Sequence, residues 1–188
     1  MHPRLAAIIS TVGSPFVLFP VIASYLTIQE IGVRQSMPAI LALLAVFAVL
    51  GVFILLRMKR GAISNLDVSD RTQRTRNVYL PSLGLIGLVA LYFWWTKQPF
   101  VLETLYVGGL LAVCFAINTV KKISLHTVVA TYLSALLLFH HLGWGVAMFL
   151  AAALIAWSRV VLGRHTRTEV LLGWVVGSAF GLGHAWLF

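Results

Sequence analysis

Apolar residues run through this chain in long uninterrupted stretches, and the polar residues gather in short clusters between them. A helix needs about 20 mostly apolar residues to cross the hydrocarbon core of a bilayer. Seven stretches read as helices of this kind: roughly Leu5 to Ile28, Pro38 to Met58, Val78 to Trp95, Phe100 to Val120, His126 to Phe139, Trp144 to Leu162 and Val170 to Phe188. Gly13, Pro15 and Pro20 interrupt the first, which membrane helices tolerate when neighbours satisfy the freed backbone groups. Tyr92, Phe93, Trp94 and Trp95 close the third with the aromatic rings typical of a membrane interface. In the last stretch Gly173, Gly177 and Gly181 recur every four residues, a stripe that lets another helix approach closely and reads as packing. The pattern predicts an all-α fold: a polytopic transmembrane helical bundle of about six to seven spans, a single domain over residues 1–188.

Composition sharpens this picture. The 188 residues are 60% hydrophobic and 10% charged, whereas a soluble domain carries about 25% charged residues. So little polar surface cannot cover a globule in water, and an integral membrane protein in a cell membrane of prokaryotic type is expected. Met1-His2-Pro3-Arg4 leads into the first stretch without a small-residue cleavage site, so that stretch is read as a span and not as a removed signal. The lone Cys114 allows no internal disulfide.

Charge sets the orientation. A net charge of +9 would suggest nucleic acid in a soluble protein. Here the basic residues stand at the ends of apolar stretches with no aromatic-studded groove, so membrane lipids are the expected partners and nucleic acid is not. With seven spans in alternation, one side carries Arg4, Arg57, Lys59, Arg60, Arg71, Arg74, Arg76, Lys121, Lys122, Arg159, Arg164 and Arg167, and the other only Arg34 and Lys97. That is twelve of the fourteen cations, and the positive-inside rule places the twelve in the cytoplasm. Most of them, Arg4, Arg57, Lys59 and Arg60 above all, are topology anchors.

Three polar clusters fall on this same predicted side: Asp67 to Asn77, Lys121 to His126, and Ser158 to Glu169. Charge beside a membrane core is costly, which makes such clusters candidate functional sites. Arginines and lysines in all three, with histidines in two, describe an active site for an anion at one membrane face. Guanidinium groups hold phosphate oxygens through paired, charge-assisted hydrogen bonds. On a helix, His165 and Glu169 share a face four residues apart, and the carboxylate can fix the imidazole tautomer as the acid does in a hydrolase triad. His165 is then the candidate nucleophile, His126 the acid that protonates the departing alkoxide, and Arg159, Arg74 and Lys122 the cations that neutralise the phosphoryl oxygens. His140 and His141 lie at the opposite face and His184 within the last span, and none of them is read as catalytic. His165 and Glu169 alone supply too few ligands for a metal site, and no cofactor is expected.

The spacing Ser158-Arg159-x5-His165-x3-Glu169 resembles the third signature of the type 2 phosphatidic acid phosphatase family of membrane enzymes, in which aspartate usually stands at the last position. Lys122-Ile123-Ser124-Leu125-His126 resembles the second signature, usually Pro-Ser-Gly-His. Asp70-Arg71-Thr72-Gln73-Arg74 is similar to a degenerate first signature, which normally has lysine seven residues before its arginine. The resemblance covers about Asp67 to Phe188 and marks residues 1–61 as an N-terminal two-helix addition to a phosphatase-like core over 62–188. It implies His165 as nucleophile, Glu169 as its orienting acid, His126 as general acid, and Arg159, Arg74 and Ser124 as phosphate ligands. Asp67 stands where the family has lysine, so Lys122 or Arg71 is expected to supply that contact. Leu125 replaces the glycine of the second signature.

The resemblance implies a metal-independent phosphatase that hydrolyses an amphiphilic lipid phosphate or prenyl diphosphate through a phosphohistidine. The alternatives are a transferase that passes the phosphoryl or headgroup to another lipid, and a non-catalytic lipid-binding or transport protein with a decayed site.

Overall fold

A computed structural model describes residues 3–63, 68 and 70–188. The chain is helical over 86% of its length, with no strand among the described residues. In order, the α-helices are α1 (Pro3–Val12), α2 (Pro15–Ile31), α3 (Val33–Lys59), α4 (Arg71–Arg74), α5 (Leu80–Trp95), α6 (Val101–Val120), α7 (Leu125–His140), α8 (Leu142–Val161) and α9 (Arg167–Leu187). A π-helical turn, Thr75–Tyr79, joins α4 to α5.

Among the described residues, five helices are long and apolar enough to cross a membrane: Val33–Lys59, Arg71–Trp95, Val101–Val120, Leu142–Val161 and Arg167–Leu187. The pair α1 and α2 makes a sixth if its 41° bend is one broken span. The first predicted span is therefore two helices. Ser14 caps α2 by accepting from the Phe16 amide, and Pro15 has no N–H to continue the ladder from α1. The fifth predicted span, α7, has 16 residues, roughly 24 Å at 1.5 Å per residue, short of a hydrocarbon core about 30 Å thick.

The third predicted span starts earlier than its apolar stretch. Asp70 caps α4 through a 2.7 Å bond from the Gln73 amide, and the helix then runs on from Arg71 to Trp95. The polar residues 71–77, which the sequence suggested as connecting segment, are helical because buried polar groups receive them. Asn118 Nδ2 donates to Thr75 Oγ1 and the Arg71 carbonyl, and Asn77 Nδ2 donates to the Gln73 carbonyl at the start of the π turn.

The chain folds as two compact units, Met1–Ser36 with Lys122–Phe188, and Met37–Lys121. This division differs from a boundary after residue 61. The first predicted span belongs with the last three helices, and the second with α5 and α6.

In the first unit α7 is the central helix, with α8 and α9 against it and α2 alongside, while α1 lies on α8. The α9 stripe lies on α7: a Cβ at Gly177 would stand 2.2 Å from Thr131 Oγ1 and 2.3 Å from the Val128 carbonyl. A Cβ at Gly181 would stand 2.6 Å from Ala135 Cβ, and one at Gly173 2.9 Å from the Ser124 carbonyl at the start of α7, so the stripe is a packing surface. In the second unit Leu50 and Ile54 of α3 form a core with Ile63 and Val68, against which Val78 and Leu85 pack.

Candidate functional site

The cluster from Ser158 to Glu169 is shaped by the end of one helix and the start of the next. α8 ends in a Schellman turn: Gly163 adopts φ +63°, its amide donates to the Val160 carbonyl, and the Arg164 amide donates to the Arg159 carbonyl, both at 3.0 Å. The His165 amide also reaches the Arg159 carbonyl, at 3.1 Å. The five residues between Arg159 and His165 are thus the length of this turn, and Gly163 supplies the left-handed conformation within it.

Thr166 then opens α9 with a capping box. Its hydroxyl accepts from the Glu169 amide at 3.3 Å, and Glu169 Oε2 accepts from the Thr166 amide at 3.2 Å. The same Oε2 lies 2.7 Å from His165 Nδ1. One carboxylate oxygen therefore closes the helix cap and holds the imidazole. The His165 side chain is buried, at 1% exposure, and that of Glu169 is partly buried, at 12%. With Glu169 ionised, Nδ1–H is the donor and the lone pair sits on Nε2.

The Lys122 to His126 segment is tied to this turn from the other side. Lys122 Nζ donates to the Arg164 carbonyl and the Ser124 amide to the Glu169 carbonyl, both at 3.3 Å. Ser124 caps α7 through its hydroxyl, which accepts from the amide and the hydroxyl of Thr127. His126 follows within the first turn of α7, 9% exposed. Leu125 starts α7 without a positive φ, so a glycine's freedom is not needed there. Arg159 is 1% exposed, and its Nη1 donates to Ser10 Oγ of α1.

The first unit thus brings together His165, Glu169, Arg159, Lys122, Ser124 and His126. Arg71 and Arg74 belong to the second unit. Arg74 is 3% exposed and gives Nε to the Val68 carbonyl at 3.1 Å, while Arg71 Nη1 donates to the Val120 carbonyl at 2.8 Å. Arg57, expected as a topology anchor, donates Nε to Asn77 Oδ1 at 2.9 Å. Asp67, expected in place of the family's lysine, lies outside the described residues.

Two other histidines have partners elsewhere. His140 Nε2 stands 3.1 Å from Glu30 Oε1, and His184 Nδ1 is 2.6 Å from the Tyr132 hydroxyl. Among the described residues no three His, Cys, Asp or Glu side chains are grouped to hold a metal ion.

Two residues of the site were missed in the sequence. Thr166 was legible, because Thr166-Arg167-Thr168-Glu169 has the capping-box spacing. Ser10 carries no such signal, since only the packing of α1 on α8 brings it to Arg159. Comparison with known protein families, with curated proteins and with solved structures finds no match for this chain.

Proposed function

We propose that this chain is an integral-membrane phosphatase of the type 2 phosphatidic acid phosphatase kind, acting on a lipid phosphate or prenyl diphosphate. The observation that carries the reading is the pairing of buried His165 with Glu169 at 2.7 Å, held by a turn whose first residue is the buried Arg159. A carboxylate on Nδ1 leaves Nε2 as a nucleophile and stabilises the imidazolium that attack creates.

In the proposed reaction Nε2 bonds to the terminal phosphorus as its bond to the bridging oxygen breaks. The departing group, an alkoxide from a phosphate monoester or a prenyl monophosphate from a diphosphate, takes a proton from His126. Water, giving a proton back to His126, then attacks the phosphohistidine and releases inorganic phosphate, which restores the free imidazole. Arg159 neutralises the phosphoryl oxygens as charge builds on them, a part that metal ions play in other phosphoryl-transfer enzymes. Lys122 holds the His165 turn through the Arg164 carbonyl and adds positive charge beside it.

The setting supports an amphiphilic substrate. Five of the described helices are long and apolar enough to cross a membrane, or six with the bent α1–α2 pair, and large apolar side chains such as Trp95, Leu142 and Trp186 are exposed on them. With α7 and the bent α1–α2 pair each counted as a span, the chain crosses seven times, and the charge asymmetry supports a cytoplasmic Arg159–Glu169 turn.

The test is phosphate release from a panel of lipid phosphates and prenyl diphosphates in detergent. His165→Ala is expected to lower turnover by on the order of a thousandfold or more while the protein stays folded. Turnover equal to that of the unaltered protein would remove His165 from the chemistry.

A further inference from the structure

We propose that Ser10 of α1 is a further anion-binding residue of the His165 site: it aims the Arg159 guanidinium and donates its own hydroxyl proton to an oxygen of the bound phosphate. This rests on the phosphatase reading above and adds to the site a helix that the sequence resemblance leaves outside the core.

The packing of α1 is specific. Gly13 lies so close to α8 that a Cβ there would stand 2.5 Å from Ile155 Cγ1. Ala6 is fully buried and Ser10 nearly so, and Ile9 packs against the Ala130, Ala152 and Ile155 cluster. The chain bends directly after Gly13, where Ser14 and Pro15 start α2. The result is a ten-residue helix, Pro3–Val12, that lays its serine against the C-terminal end of α8.

The hydroxyl's second bond is what distinguishes Ser10. Hydroxyls inside helices usually give their proton to a carbonyl three or four residues earlier, as Thr11 does to Ala7, Thr27 to Ala23, Ser134 to Ala130 and Ser158 to Ile155. Ser10 Oγ accepts from Arg159 Nη1 and, among the described residues, gives its own proton to no such carbonyl. At 5% exposure it has little water to donate to, and a buried donor without an acceptor costs stability. A phosphate oxygen held by Arg159 supplies that acceptor beside a guanidinium that Ser10 already orients. The Arg159 carbonyl in turn anchors the His165 turn, so one residue links the hydroxyl, the cation and the nucleophile.

Orthovanadate, which mimics transferring phosphate, tests this on the full chain in detergent. Its dissociation constant is measured by vanadium NMR for the unaltered protein and for Ser10→Ala, Ser10→Cys and Ser10→Thr, with Tm recorded for each. The Ala and Cys variants are expected to bind roughly tenfold more weakly. The Cys variant, close to serine in size, should keep its Tm, and Thr should restore affinity. The Ala and Cys variants should raise KM for a lipid phosphate more than they lower kcat.

Vanadate binding unchanged in Ser10→Cys and Ser10→Ala would overturn the role of Ser10 and leave the phosphatase reading standing. Weakened binding that follows Tm alone, with no rescue by Thr, would reduce Ser10 to packing and overturn it too. No vanadate binding by the unaltered protein would overturn the phosphatase reading, and the anion role of Ser10 with it.

Discussion

At the scale of single residues, Glu169 Oε2 has two roles in the site, because it accepts from both the Thr166 amide and His165 Nδ1. The two roles are separable by substitution. Glu169→Gln keeps the shape and an acceptor for the cap but removes the charge that fixes the imidazole tautomer. Its kcat is expected to fall on the order of a thousandfold, with Tm close to that of the unaltered protein. Thr166→Ala removes the reciprocal cap bond and should cost about 1 kcal/mol of stability, with a smaller loss of kcat. Thermal unfolding and phosphate release measured on both variants check the pair, and equal kcat in Glu169→Gln would deny the carboxylate its orienting role. The His165–Glu169 pairing was legible in the sequence because i, i+4 residues on a helix share a face. Which oxygen does what was not, since it depends on where α9 starts. The contact of Arg159 with Ser10 was not legible either, because 149 residues separate the partners and no local pattern announces it.

At the scale of elements, hydrophobic stretches located the long helices well and their ends poorly. The apolar pattern starts the third span at Val78, whereas Asp70 starts the helix through a cap that a stretch-counting reading passes over. Buried Asn77 then lies inside the helical run and buried Asn118 of α6 bonds to Thr75 within it, over residues that composition alone assigns to a loop. The glycine stripe of α9 was read for what it is, a close helix contact. That contact makes a prediction at its own scale. Gly177→Leu would drive a side chain into the Val128 carbonyl and Thr131, and even Gly177→Ala puts a Cβ 2.2 Å from Thr131 Oγ1. The Ala variant should lose about 1–3 kcal/mol and the Leu variant more. Gly84→Ala, whose Cβ meets nothing within 4 Å, is the control that should keep its Tm apart from any change in helix propensity. Equal melting of Gly177→Ala and Gly84→Ala would show that α7 and α9 are not packed as closely as described.

At the scale of the whole molecule, the sequence predicted one domain with an added N-terminal pair of helices, and the first two predicted spans fall in different compact units of the chain. The reason lies in packing that a linear reading does not contain: α1 and α2 carry the partners of α8 and α7, while α3 shares its core with α5. Orientation is the property that charge counting predicts and helix geometry does not. Cys114 is fully buried, so it is a quiet background for thiol labelling. A cysteine placed at Arg167, beside the capping box, should react in cells only after permeabilisation, and one at Lys97, between α5 and α6, should react from outside. The reverse pattern would put the His165 turn on the external face.

The chemistry assigned to His165 is tested most directly by trapping its covalent intermediate. The protein in detergent is mixed with a lipid phosphate carrying labelled phosphorus, quenched within a turnover, and mapped by peptide. The label is expected on His165, stable to base and lost in acid, and absent from His165→Ala. Phosphate release without any labelled histidine, or a label that persists in His165→Ala, would contradict a nucleophilic His165.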